Sequence, residues 1–103
     1  MLTKIDFSHL LFSVYNNEER RFFMDNTRIA IVGIIVSDLN SAEKVNALLH
    51  EYADIVIGRM GIPYKKKGVS IISVAVDGEM GTINALTGKL GMIEGVSSKA
   101  LWR

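Results

Sequence analysis

No cysteine occurs in the 103 residues. Disulfides, thiolate zinc sites, iron–sulfur ligation and cysteine nucleophiles are therefore excluded within the chain. An excess of charge is missing as well. The formal net charge is +1, which argues against a broad phosphate-binding surface, because such a surface needs clustered basic residues. No apolar run reaches the roughly 20 residues that span a bilayer. The opening MLTKIDFSHLLFSVYNN has neither a clean apolar core nor a small-residue cleavage site. The expectation is a cytoplasmic protein with no membrane contact and no cofactor.

What the chain has instead is two stretches that are apolar on both faces of a pleated strand, Arg28 to Asp38 and Val69 to Asp77. In the first, Ile29, Ile31, Gly33 and Ile35 point one way and Ala30, Val32, Ile34 and Val36 the other. In the second, Ile72, Val74 and Val76 oppose Val69, Ile71 and Ala75. An antiparallel sheet with helices on one side normally reads polar at every second position. A single domain of this length has too few helices to cover both sides, so a second copy is expected to cover the bare one. Such a domain buries only about 60 to 65% of its unfolded surface.

The predicted order of elements is a strand at 28–38, a helix at about 41–53, a strand at about 54–60, a strand at 69–77, a helix at about 80–91 and a strand at 95–102. In the first helix Val45, Leu48, Leu49 and Tyr52 form one apolar stripe, and Asn40 with Glu43 reads as a capping box. In the second, Ile83, Leu86 and Leu90 share a stripe. Gly91 is placed to end this helix in the left-handed conformation, and Gly88 to mark a close approach. The order is the split βαβ arrangement, an α+β ferredoxin-like βαββαβ sandwich. Right-handed crossovers put two helices on one face of a four-stranded antiparallel sheet and the two doubly apolar strands at its centre.

Residues 1–23 differ in character, mixing Phe7, Leu10, Leu11, Phe12, Val14 and Tyr15 with Glu18-Glu19-Arg20-Arg21. Two readings stand. One is a short amphipathic helix packed on the domain. The other is translated upstream sequence, a purine-rich ribosome-binding site behind Glu-Arg-Arg, with initiation at Met24. The domain proper is taken as 24–103.

Hydrolytic chemistry needs a nucleophile, a base and an orienting acid, and beyond His9 the only imidazole is His50. His50 falls about 140° around its helix from Val45 and reads as solvated. A metal site built by His50, Glu51 and Asp54 with a second subunit is weakly signalled. RNA readout by a sheet of this topology uses aromatic platforms on the central strands, which contain none. Lys65-Lys66-Lys67 reads as a solvated hairpin tip. Two loops remain as candidate sites. One holds Asp38, Asn40 and Ser41, where helix N-terminal amides favour an anion and Asp38 and Asn40 equally serve as plain caps. The other runs from Gly58 through Arg59, Met60 and Gly61 to Tyr64, where two glycines and Pro63 imply a specific backbone path.

RIAIVGIIV at 28–36, HEYADIVIGRMGIPYKKKGVSIISVAVDG at 50–78 and INALTGKLGMIEGVSSKAL at 83–101 resemble a family of small regulators of the iron-only hydrogenase system. That family is similar to ACT domains and to the ligand-sensing domain of nickel-responsive repressors, which pair through sheets and helices and bind small effectors near subunit boundaries. The resemblance implies a non-catalytic regulatory domain, a dimer or tetramer of identical chains. Nickel sensing of that kind uses several histidines and usually a cysteine, so no metal is expected here. Direct nucleic-acid contact is not expected either, because residues 1–23 carry no ribbon-helix-helix or helix-turn-helix pattern.

The expected effector site lies at a subunit boundary between the Asp38, Asn40 and Ser41 loop and a turn from Gly58 to Gly61. Amides near Ser41 would hold an anion, Arg59 would pair with it, and Met60 and Tyr64 would wall it. The alternatives are a structural adaptor that binds no small molecule and an acylphosphatase-type enzyme. The latter needs Asn40, Asn46 or Asn84 beside Arg59.

Overall fold

The computed structural model describes residues 26–103. Both readings of residues 1–23 fall outside them.

The chain alternates as expected: β1 (Thr27–Val36), α1 (Ala42–Glu51), β2 (Val56–Tyr64), β3 (Val69–Glu79), α2 (Met80–Gly91) and β4 (Val96–Trp102). The four strands form one antiparallel sheet in the order β2-β3-β1-β4, with the two doubly apolar strands at the centre. Register pairs Ala30 with Val76, Val32 with Val74 and Ile34 with Ile72. These even-numbered residues are buried with Val45 and Leu49 of α1 and Ile83, Leu86 and Leu90 of α2. Both helices therefore share one face of the sheet. Each fully buried aliphatic side chain of this core contributes about 1.5–3 kcal/mol. Lys89 of α2 stands over the ring of Tyr52 at the end of α1, 5.3 Å from its centroid, a cation–π contact between the helices.

The opposite face carries no helix among the described residues. Ile29, Ile31 and Ile35 of β1 are each nearly half exposed, and Ile71 of β3 and Leu101 of β4 lie on the same side. Met60, Ile62 and Tyr64 of β2, paired with Ser73, Ile71 and Val69, extend this face to the sheet edge.

Local differences from the expectation have identifiable causes. β1 ends at Val36, two residues early, because the Ser37 N–H and hydroxyl both donate to the Gly95 carbonyl, at 2.7 and 3.0 Å. A 3-10 turn, Leu39–Ser41, precedes α1, and the Asp38 carboxylate accepts from the Asn40 N–H. The expected Asn40–Glu43 capping box is replaced by this contact. Gly91 ends α2 without a left-handed residue; the positive φ falls at Gly95, at 75°. Gly88 is exposed, and a Cβ there meets nothing within 4 Å, so no close approach explains it.

Among the described residues, the Ser98 hydroxyl, on the helix side of β4, is buried with no hydrogen-bond partner. Leaving a buried hydroxyl unsatisfied costs roughly 1–3 kcal/mol. Ser98→Ala is therefore expected to stabilise the domain by about 1 kcal/mol, measured as a higher urea midpoint with an unchanged slope.

Candidate functional site

The sequence places the Gly58 to Gly61 segment in a turn. In the structure it is strand, and β2 runs four residues further than expected, to Tyr64. Gly58, Gly61 and Pro63 are accommodated because β2 is an edge strand, where a missing side chain or N–H is tolerated. The ladder slips by one residue between Val56, opposite Val76, and Gly58, opposite Ala75, which leaves Ile57 as the extra residue of a β-bulge. Bulges at sheet edges re-aim side chains. Here Val56 and Arg59, three apart, both come to the helix side, whereas regular pleating would put them on opposite sides.

Arg59 thereby lies beneath α1, and its guanidinium donates to the Asn46 side-chain oxygen at 2.7 Å. Asn46 and His50 are one helical turn apart and so share a face of α1. Between this face and β2 lies an open cleft lined by Asn46, Leu49, His50, Ala53, Val56 and Arg59. Leu49 is buried and forms its floor. Among the described residues no carboxylate pairs with Arg59, whose hydrogen-bond partner is the Asn46 amide.

The other expected site residues lie elsewhere. The Ser41 hydroxyl is buried and donates to the Glu94 carbonyl at 2.6 Å, and the Ser41 N–H donates to the Asp38 carbonyl at 2.9 Å. With the Asn40 N–H held by Asp38, the loop uses its own amides and locks β1–α1 against the turn before β4. That turn adjoins the sheet edge opposite β2. Met60 and Tyr64 face the helix-free side, separated from Arg59 by the sheet itself. Within one protomer, Arg59, the Asp38–Ser41 loop and the Met60–Tyr64 wall are thus three separate places. Of the three asparagines that the acylphosphatase-type alternative needs beside Arg59, the structure brings Asn46 there, a convergence with no evident reason in the sequence; His50 is a further neighbour that sequence reasoning missed. The usable signal was Gly58 following the apolar run Ile55-Val56-Ile57, since a glycine inside a strand suggests a bulge. Asn84, on α2, has its carbonyl engaged by the Thr87 hydroxyl. No group of three or more His, Asp or Glu that could hold a metal ion occurs among the described residues.

The model of the TM1266-like family, described as "Iron-only hydrogenase system regulator, putative", matches residues 28–100. The chain belongs to this family. Among solved structures, TM1266 from Thermotoga maritima, an uncharacterized protein, is similar to this TM1266-like chain at 34% identity and a TM-score of 0.71. The match covers 74% of this chain and 96% of that one. A formyltetrahydrofolate deformylase from Pseudomonas putida shares the fold at 14% identity and a TM-score of 0.53, over 71% of this chain and 28% of the enzyme. No curated protein matches the chain. The described part of this TM1266-like chain contains no helix long and apolar enough to cross a membrane.

Proposed function

We propose that this chain is a cytoplasmic, non-catalytic regulatory domain of the iron-only hydrogenase system, working as a homo-oligomer that senses a small anionic effector. The observation that carries the reading is the helix-free face. Ile29, Ile31, Ile35, Ile62, Ile71 and Leu101, each between 43% and 70% exposed, form one apolar surface on the sheet. A contiguous surface of this kind marks an interaction site, and self-association is the simplest way to cover it in a chain of this size. The family description supports regulation over catalysis. Arg59, a cation without a carboxylate partner among the described residues, supports an anionic effector. Because Arg59 stands on the helix side of an edge strand, an effector paired with it would lie in the cleft beside α1, open at the sheet edge. Asp38, Asn40, Ser41, Met60 and Tyr64 could join it there only from a second chain.

Sedimentation equilibrium of the purified protein should give the mass of a dimer or tetramer. A thermal-shift screen of amino acids, nucleotides and divalent metals should find a ligand whose stabilisation grows with concentration. A monomer would remove the assembly half of the reading. An assembled protein that no ligand stabilises would favour an adaptor that docks on another protein.

A further inference from the structure

The cleft between α1 and β2 carries a more specific assignment. We infer that it is an anion site complete within one protomer, and that its ligand is a small monocarboxylate with a short aliphatic tail. The inference rests on the proposed regulatory function only in taking Arg59 as the anion-pairing group; it requires neither assembly nor the Asp38–Ser41 loop.

Three features argue for it. The bulge at Ile57 brings Arg59 and Val56 to the same side of an edge strand, so the cation and part of the apolar lining reach the cleft together. Asn46 holds one guanidinium N–H and so fixes the plane of the fork, while the remaining donors stay available for a bidentate carboxylate. His50, one turn beyond Asn46, can donate from a ring nitrogen to the same anion. The rest of the lining is Leu49, Ala53 and Val56, apolar side chains that suit a short aliphatic tail.

The cleft opens near the C-terminal end of α1, whose dipole opposes an anion. Such dipole effects amount to a few-fold in affinity at an exposed site. A charge-assisted hydrogen bond is worth tenfold or more. The guanidinium therefore decides the sign.

The test is an NMR titration of the full chain with isobutyrate, with inorganic phosphate as the comparison anion. For a ligand of so few atoms, binding is expected in the millimolar range, with saturable shifts centred on Asn46, His50, Ala53 and Arg59. Arg59→Ala should weaken binding about tenfold or more, and His50→Ala by a few-fold. Both side chains are exposed, so the fold should survive. Lys66→Ala, on the distant hairpin tip, should change nothing. Tighter binding of phosphate than of isobutyrate would overturn the ligand class. Equal losses in Arg59→Ala and Lys66→Ala would mean diffuse attraction to positive charge and would overturn the site. An absence of isobutyrate shifts would sink this inference alone if another ligand in the thermal-shift screen stabilises the protein. The same silence from a monomer that nothing stabilises would take the regulatory reading with it.

Discussion

Gly95→Ala should lower the stability of the domain by about 2–5 kcal/mol, the largest loss expected from adding a single methyl group. Two costs combine. A φ of 75° in a residue with a Cβ costs roughly 1–2 kcal/mol. That Cβ would also stand 2.6 Å from the Asp38 Cβ and 3.1 Å from the Asp38 nitrogen, and forcing atoms into a packed site costs about 1–3 kcal/mol. Asp38 cannot move aside freely. Its neighbour Ser37 is tied to the Gly95 carbonyl, and Ser41 to that of Glu94. For a domain this small, the melting temperature should fall by roughly 10–30 °C. Gly88→Ala is the control: it sits in α2 with open space around a Cβ, so it should gain about 0.5–1 kcal/mol. Melting of Gly95→Ala within about 3 °C of the parent would show that the two loops are not locked together.

Ile31→Glu should dissociate the proposed oligomer and leave the protomer folded. Ile31 lies mid-strand on the helix-free face, between Ala75 of β3 and Leu101 of β4, and is 47% exposed in the isolated protomer. A carboxylate there remains in water when the chain is alone. In an assembly closed over this face it would be buried without a partner, at about 3–5 kcal/mol per copy. Two copies in a symmetric interface double the cost, so the dissociation constant should rise by about 10⁴-fold or more. Sedimentation should show monomers with an unchanged far-ultraviolet circular dichroism spectrum. A variant that keeps the parent mass would place the subunit contact on another surface.

The sheet's centre was legible in the sequence because β1 and β3 carry apolar residues on both of their faces, as the interior strands of a sheet do. The helices were legible because their stripes are spaced by whole turns, and all the residues named for them are buried or partly so. β2 was half hidden. Gly58, Gly61 and Pro63 are the residues of turns, and an edge strand tolerates the same three, so their turn chemistry outweighed the one hint of a bulge at Gly58. The left-handed glycine was assigned four residues too early, since both Gly91 and Gly95 follow a helical stripe and only packing against Asp38 selects the second. At the candidate site, Arg59 was identified from its sequence. Its neighbours were not, because the angle of His50 was measured against its own helix, whereas the cleft is made by a strand projecting past that helix. Asn46 was one of three asparagines weighed as a partner for Arg59, and nothing in the sequence favoured it over Asn40 or Asn84, because its contact to Arg59 exists only through the bulge.

That bulge also governs how relatives of different length should be aligned. Since Ile57 has no opposite number on β3, a homologue one codon shorter at this point keeps every later side chain on its present side of the sheet. A gap or insertion anywhere from Gly58 to Tyr64 reverses the parity of the remaining strand residues, exchanging the positions that look toward the helices with those that look away. Whether a given relative retains an arginine above its cleft must therefore be judged by strand phase, never by counting residues from the nearest glycine.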